Sequence, residues 1–227
     1  MQVLANKISQ NSYLFREKVK RLLLIVPLFL FHIILYNFVG MCENESNYSF
    51  LLDIDHIIPF VPGMVWIYIS TYIVIPLVGF LIKDTKDFYR LAVTIVISWL
   101  ITYPFFYFFP ATYPRPDFAL VDLSTWMLKL NYIHDVANNT FPSLHVSLSF
   151  VIAFTMVHIS KKKNILWIIW AMLISLSTVM VKKHFIVDTF GGLIVAQIAF
   201  LLVFKLKIAD NAIEDFESKL KKIKLDW

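Results

Sequence analysis

Runs of about twenty consecutive, mostly apolar residues constrain this chain more than any other feature. Each is long enough to cross the hydrocarbon core of a bilayer as a helix. Six segments qualify, roughly 22–42, 60–82, 91–109, 141–160, 165–181 and 185–206. In the membrane core every backbone polar group must be paired within the protein, so helices are what such runs form there. The six segments take up most of the 227 residues and leave no room for a separate soluble domain. Composition agrees, since only 16% of the residues are charged against about 25% in an ordinary soluble domain. The expected fold is therefore all-α, a bundle of six transmembrane helices. A membrane domain over 22–206 is flanked by an N-terminal segment, 1–21, and an amphipathic tail, 207–227.

The formal charge of +5 could suggest nucleic acid as a partner, but the positions of the charges exclude it. With six alternating spans, both termini fall on one side. That side collects 17 of the 21 lysines and arginines, leaving Arg115, Lys129, Lys182 and Lys183 opposite. Cytoplasmic loops are enriched in Lys and Arg, so both termini are expected in the cytoplasm. The basic excess then reflects topology and attraction to anionic membrane lipid. The first apolar run is too long for the core of a cleaved signal peptide and no A-x-A site follows it. Cleavage before Cys42, as in a lipoprotein, is the less favoured alternative. A single cysteine rules out an internal disulfide.

This topology brings three polar stretches to the outer, non-cytoplasmic rim: FFPATYPRPDF (108–118), TFPSLHVS (140–147) and KKHFIVD (182–188). His184 and Asp188 are four apart, which on a helix puts them on one face. A carboxylate that binds one ring nitrogen leaves the other unprotonated and fixed in direction, a good nucleophile. The same pair could instead cap or snorkel at a span entrance, but ionisable groups within spans are costly and favour function. His145, after Pro142 at the start of the fourth span, could protonate a leaving oxygen. Proline suits the first turn of a helix, so FPSLH is expected to open this one. Arg115 has a planar fork of donors suited to phosphate and Lys182 adds a point charge. Lipid headgroups are the competing partner for both, and for Lys183 more so; Asp117 could simply pair with Arg115.

With these residues in place, the sequence resembles the type-2 phosphatidic acid phosphatase/haloperoxidase superfamily, whose motifs are KxxxxxxRP, PSGH and SRxxxxxHxxxD. The matching stretches are YPRP (113–116), PSLH (142–145) and STVMVKKHFIVD (177–188). The resemblance implies that His184 attacks phosphorus to form a phosphohistidine, that Asp188 orients it, and that His145 is the acid. Arg115 and Ser143 would hold phosphate oxygens. Two motif cations are absent, because Phe108 and Thr178 stand where the family has lysine and arginine; Lys182 is the expected substitute. The ST pair followed by a lysine two residues before the histidine, Lys182, and DIDHIIPFVPGMVWIY (53–68) are similar to the branch of inositol phosphorylceramide and sphingomyelin synthases.

The implied activity is hydrolysis of a phosphate or diphosphate from a lipid headgroup, with transfer to an alcohol as the alternative and non-enzymatic lipid binding or transport as a third. No cofactor or metal is expected, since the sequence has no Cys/His cluster or Asp-rich loop to hold one. The partners are a lipid phosphate and membrane lipids, and the expected setting is a bacterial inner membrane with the site facing the periplasm or exterior. The aromatic-rich stretch 103–114 reads as an interfacial belt, and His32 and His158 as packing residues. In the tail, Ile208, Ala212, Phe216, Leu220, Ile223 and Trp227 recur at helical intervals, as in a helix lying on a membrane surface. A reporter domain fused after Trp227 should be active only in the cytoplasm; an exterior signal would invert this topology.

Overall fold

The computed structural model describes residues 2–41, 48–159 and 165–222. Cys42, the basic KKKN stretch, Ile223 and Trp227 lie outside the described residues. All six apolar segments are helical. They correspond to α1 (Gln2–Met41), α3 (Val65–Leu81), α4 (Thr85–Phe108), α6 (Leu144–Ile159), α7 (Ile165–Met180) and α8 (Ile186–Phe200). Short helices α2 (Asp53–Ile57) and α5 (Leu123–His134) lie in the connections, and α9 (Asp210–Lys222) forms the tail. Among the described residues no strand forms; only isolated bridges join Tyr48 to Ala111 and Ala111 to Asn139.

Among the described residues, four helical stretches are long and apolar enough to cross a membrane: Glu17–Met41, Pro62–Leu81, Thr85–Phe108 and Ile186–Lys205. The other two, α6 and α7, have 16 residues each, a length of about 24 Å. α6 is the central helix, packed against α3, α4, α7 and α8, with Val146, Val151, Ile152 and Ala153 fully buried. α1 sits at the edge, with Leu22, Leu23, Leu30, Phe31 and Ile34 exposed.

Polar contacts fix the helix ends. Asp84 caps α4 by accepting the Asp87 N–H at 2.9 Å, which starts that helix six residues ahead of the expected apolar run. Arg21 of α1 donates to the carbonyls of Gly79, Ile82 and Lys83, the last turn of α3 and the turn after it. Its guanidinium also lies over the Phe88 ring. α9 docks on α4 through Arg90–Asp210 at 2.6 Å and Lys86–Glu214 at 2.6 Å. Among the tail residues whose burial is described, Ile213, outside the expected stripe, is buried, whereas Ile208 and Phe216 stay exposed.

At the opposite end of the bundle α8 presses on the start of α6. Pro142 does not open α6 as expected. The helix begins at Leu144, and Ser143 precedes it with its hydroxyl 3.4 Å from the Val146 N–H. The Ser143 N–H donates to the Asp188 carbonyl at 2.9 Å. Gly191 and Gly192 allow this approach: a Cβ at 192 would sit 2.4 Å from the Ser143 carbonyl oxygen, and one at 191 would sit 2.8 Å from the Phe141 ring. Because the atom in the way at 192 is backbone, Gly192→Ala should destabilise the protein by about 1–3 kcal/mol. Thermal unfolding in detergent would detect it. Gly63→Ala, where a Cβ meets nothing within 4 Å, is the matched control; equal melting of the two variants would refute the packing argument.

Candidate active site

The α8–α6 contact decides where two imidazoles lie. His184 is in the turn between α7 and α8, and His145 is the second residue of α6. The expectation that His184 and Asp188 share a helix is corrected: α8 begins at Ile186, so only Asp188 is helical. They still meet, because Phe185 is the N-cap and its N–H donates to Asp188 Oδ2 at 2.9 Å, which folds the turn back over the carboxylate. His184 Nδ1 lies 3.4 Å from the same oxygen. A carboxylate can only accept, so the neutral form of His184 that fits this contact has its proton on Nδ1 and its lone pair on Nε2. Asp188 is fully buried and His184 only 6% exposed. The ring centroids of His145 and His184 are 6.5 Å apart. That leaves the two rings beyond direct hydrogen-bond reach, with one small group able to touch both.

His145 is held by two phenols that sequence reasoning did not single out. Tyr68 stacks on its ring at 4.1 Å and brings its hydroxyl 3.2 Å from Nδ1. The Tyr72 hydroxyl is 3.1 Å from Nε2. Both tyrosines are on α3, four apart, and so project from one face of it.

The cations are distributed differently from the expectation. Lys182, at φ 53°, turns away from the cavity, and its ammonium donates to the carbonyls of Asp55 at 3.0 Å and Ile58 at 2.7 Å. Its neighbour Lys183 is the lysine that lines the cavity. Lys183 reaches Asp135 at 2.7 Å and the Tyr68 hydroxyl at 3.4 Å, with its ammonium 4.8 Å from the Tyr68 ring centroid. Arg115 lines the same cavity and is paired with Asp135 at 3.2 Å, not with Asp117. It also donates to the Tyr132 carbonyl and lies over the Tyr132 ring. Ser143 is fully buried as part of the α8–α6 joint and does not line the cavity.

Two further carboxylates organise this end. Asp135 takes Lys183 and Arg115 on Oδ2, and the Tyr36 hydroxyl on Oδ1 at 2.6 Å. Burial opposes its ionisation, but Lys183, Tyr36 and Arg115 outweigh that and hold its carboxyl below the usual value. Burial lowers Lys183 from the usual lysine value, with Asp135 opposing. Asp55, almost fully buried, accepts the N–H of Leu52 and, from Oδ1 at 2.9 Å, that of Ile186 at the start of α8. The signal for Asp135 was present in sequence: an acidic residue in the same inter-span connection as Arg115. Asp55 had no comparable signal for its long-range role, since one of the N–H groups it satisfies is that of Ile186, far away in sequence, and the other is the local Leu52 at the start of its own helix.

The cavity has a volume of about 400 Å³ and runs from His184, His145 and Lys183 toward His32 and Trp99 between α1, α3 and α4. His32 does pack, stacking on Trp99 at 4.9 Å, and also lines this cavity. His158 packs against Phe200 and Phe204. A second, apolar cavity of about 270 Å³ continues along α1 and shares Phe29, Tyr72, Ile75, Ile95 and Trp99 with the first.

Comparison with known families matches residues 58–202 to the PAP2 superfamily. Among solved structures, the crystal structure of Aquifex aeolicus LpxE superposes with a TM-score of 0.51 at 21% identity, covering 63% of this chain and 83% of that one. At that identity the likeness concerns the fold. Comparison with curated proteins gave no match. Removing the Asp55 carboxylate would strand buried N–H groups at a cost of about 1–3 kcal/mol. Asp55→Ala should therefore melt earlier than Asp55→Asn, whose amide oxygen still accepts; identical melting would refute the assigned role.

Proposed function

The chain belongs to the PAP2 superfamily, and from that premise we propose that it is an integral-membrane lipid phosphatase working through a phosphohistidine on His184. The observation that carries this reading is the pair of imidazoles 6.5 Å apart, one of them bound through Nδ1 to a fully buried carboxylate. Nε2 of His184 attacks phosphorus and the bond from phosphorus to the lipid oxygen breaks. His145 gives that oxygen its proton, so the lipid departs as an alcohol. Water then attacks the phosphohistidine, His145 takes up a proton from it, and inorganic phosphate leaves with His184 restored. Splitting the displacement into two steps lowers a barrier that is very high without a catalyst.

Arg115 and Lys183 stabilise the non-bridging oxygens in this scheme. A phosphoryl group would reach His145 by displacing the Tyr72 hydroxyl from Nε2, while Tyr68 keeps the ring in place from Nδ1. The apolar cavity that continues from the site along α1 supports a lipid over a water-soluble phosphate, since a hydrocarbon tail could lie there while the headgroup meets the histidines. Six crossings complete the proposal, with both termini cytoplasmic and the site at the outer face. The distribution of lysine and arginine supports that orientation.

The test is phosphate release by the purified protein from a panel of lipid phosphates. His184→Ala should reduce turnover to background and Asp188→Asn should remove most of it, with both variants folded. His145→Ala should lose about 10²–10⁴-fold, the range of a general acid. Phosphate release at the normal rate from His184→Ala would eliminate His184 as the nucleophile.

A further inference from the structure

Neither cation facing the proposed phosphate position is free. Lys183 Nζ lies 2.7 Å from Asp135 Oδ2, and Arg115 Nη2 lies 3.2 Å from the same oxygen and 3.2 Å from the Asp135 carbonyl. Asp135 is itself tied down through its other oxygen by Tyr36 on α1, and it lines the same cavity as both histidines. One carboxylate therefore offsets one of the two positive charges before any ligand arrives. The phosphate is left a subsite of two cations and one fixed anion.

On the reading given under Proposed function, we infer that Asp135 sets the charge this subsite accepts: a singly protonated lipid phosphate monoester, bearing one negative charge, in preference to its dianion. A phosphate oxygen that binds Lys183 or Arg115 must come close to Asp135 as well, because both cations converge on its Oδ2. A singly charged group gains two attractions against one repulsion. The second charge of a dianion adds little attraction to cations already partly neutralised, and it meets the carboxylate directly. Selection of this kind works by repulsion built into the site.

The charged and titratable groups around Asp135 come from every neighbouring element: Tyr36 on α1, Tyr68 and Tyr72 on α3, Tyr132 on α5, His145 on α6, and Arg115 and Lys183 from the connections. Its carboxyl is held below the usual value, so it stays ionised where phosphate changes from monoanion to dianion. Of these groups His145 is the one whose type ordinarily titrates near neutrality, and its protonation would also favour anions on the acid side. That gain needs no Asp135, so it separates from the proposed effect on substitution.

The experiment is phosphorus NMR titration of inorganic phosphate against the full-length protein in detergent, across the second ionisation of phosphate. Wild type should bind the monoanion best and lose affinity as the dianion forms. Asp135→Asn should restore binding on the alkaline side by about tenfold or more, the scale of one like-charge contact removed. Binding that strengthens with the dianion in wild type overturns the inference without any variant, so the test survives if Asp135→Asn fails to fold. A folded Asp135→Asn that binds phosphate more weakly at every pH also overturns it, because Asp135 would then only hold the cations in place. No phosphate binding to wild type at any pH overturns the inference and the site together.

Discussion

Everything at the candidate site depends on one backbone joint, the N–H of Ser143 donating to the carbonyl of Asp188. It ties the residue that precedes α6 to the first turn of α8, the two elements that carry the residues around both histidines. The joint closes because Gly192 has no side chain where the Ser143 carbonyl sits. Asp188 serves twice: its backbone holds α6, while its side chain holds the Phe185 N–H and the His184 ring. A shift of α8 along α6 would therefore change the separation of the two imidazoles.

Around that joint, buried charge is kept by pairing. Among the described residues, three sheltered carboxylates come to this end of the bundle, and each has a separate task. Asp188 fixes an imidazole, Asp135 gathers Lys183, Arg115 and Tyr36, and Asp55 receives the N–H at the start of α8. Burying an ionised group without such partners would be prohibitive. The network thus explains how a mostly apolar chain keeps several ionisable side chains sheltered in one cavity. The pairing of Arg115 and Lys183 with Asp135 also means that the cavity presents organised charge, where loosely held lipid-binding cations would stay solvated.

Much of this was legible in the sequence. Apolar run length located six helices, and the positions of His145, His184, Asp188 and Arg115 pointed to a common rim; the structure brings all four to one end of the bundle. What sequence could not reveal was local direction. Lys182 and Lys183 are adjacent, and a left-handed backbone at Lys182 decides which ammonium enters the cavity. No periodicity argument reaches inside a tight turn. The partner of Arg115 depended on how α5 ends, so Asp135 was missed and Asp117 was considered in its place. Tyr68 and Tyr72 were hidden in an apolar run where aromatic residues ordinarily signal packing. The start of α6 moved past Pro142 because Ser143 joins α8 before the helix begins.

The proposed chemistry is that His184 takes the phosphoryl group onto its free ring nitrogen. Rapid quenching of the protein with a lipid phosphate, followed by mass spectrometry under alkaline conditions that preserve phosphohistidine, tests it most directly. The account predicts a phosphate on the peptide containing His184, absent from His184→Ala. Active turnover with that histidine unmodified at every time point, or a phosphate on His145 in its place, would contradict it.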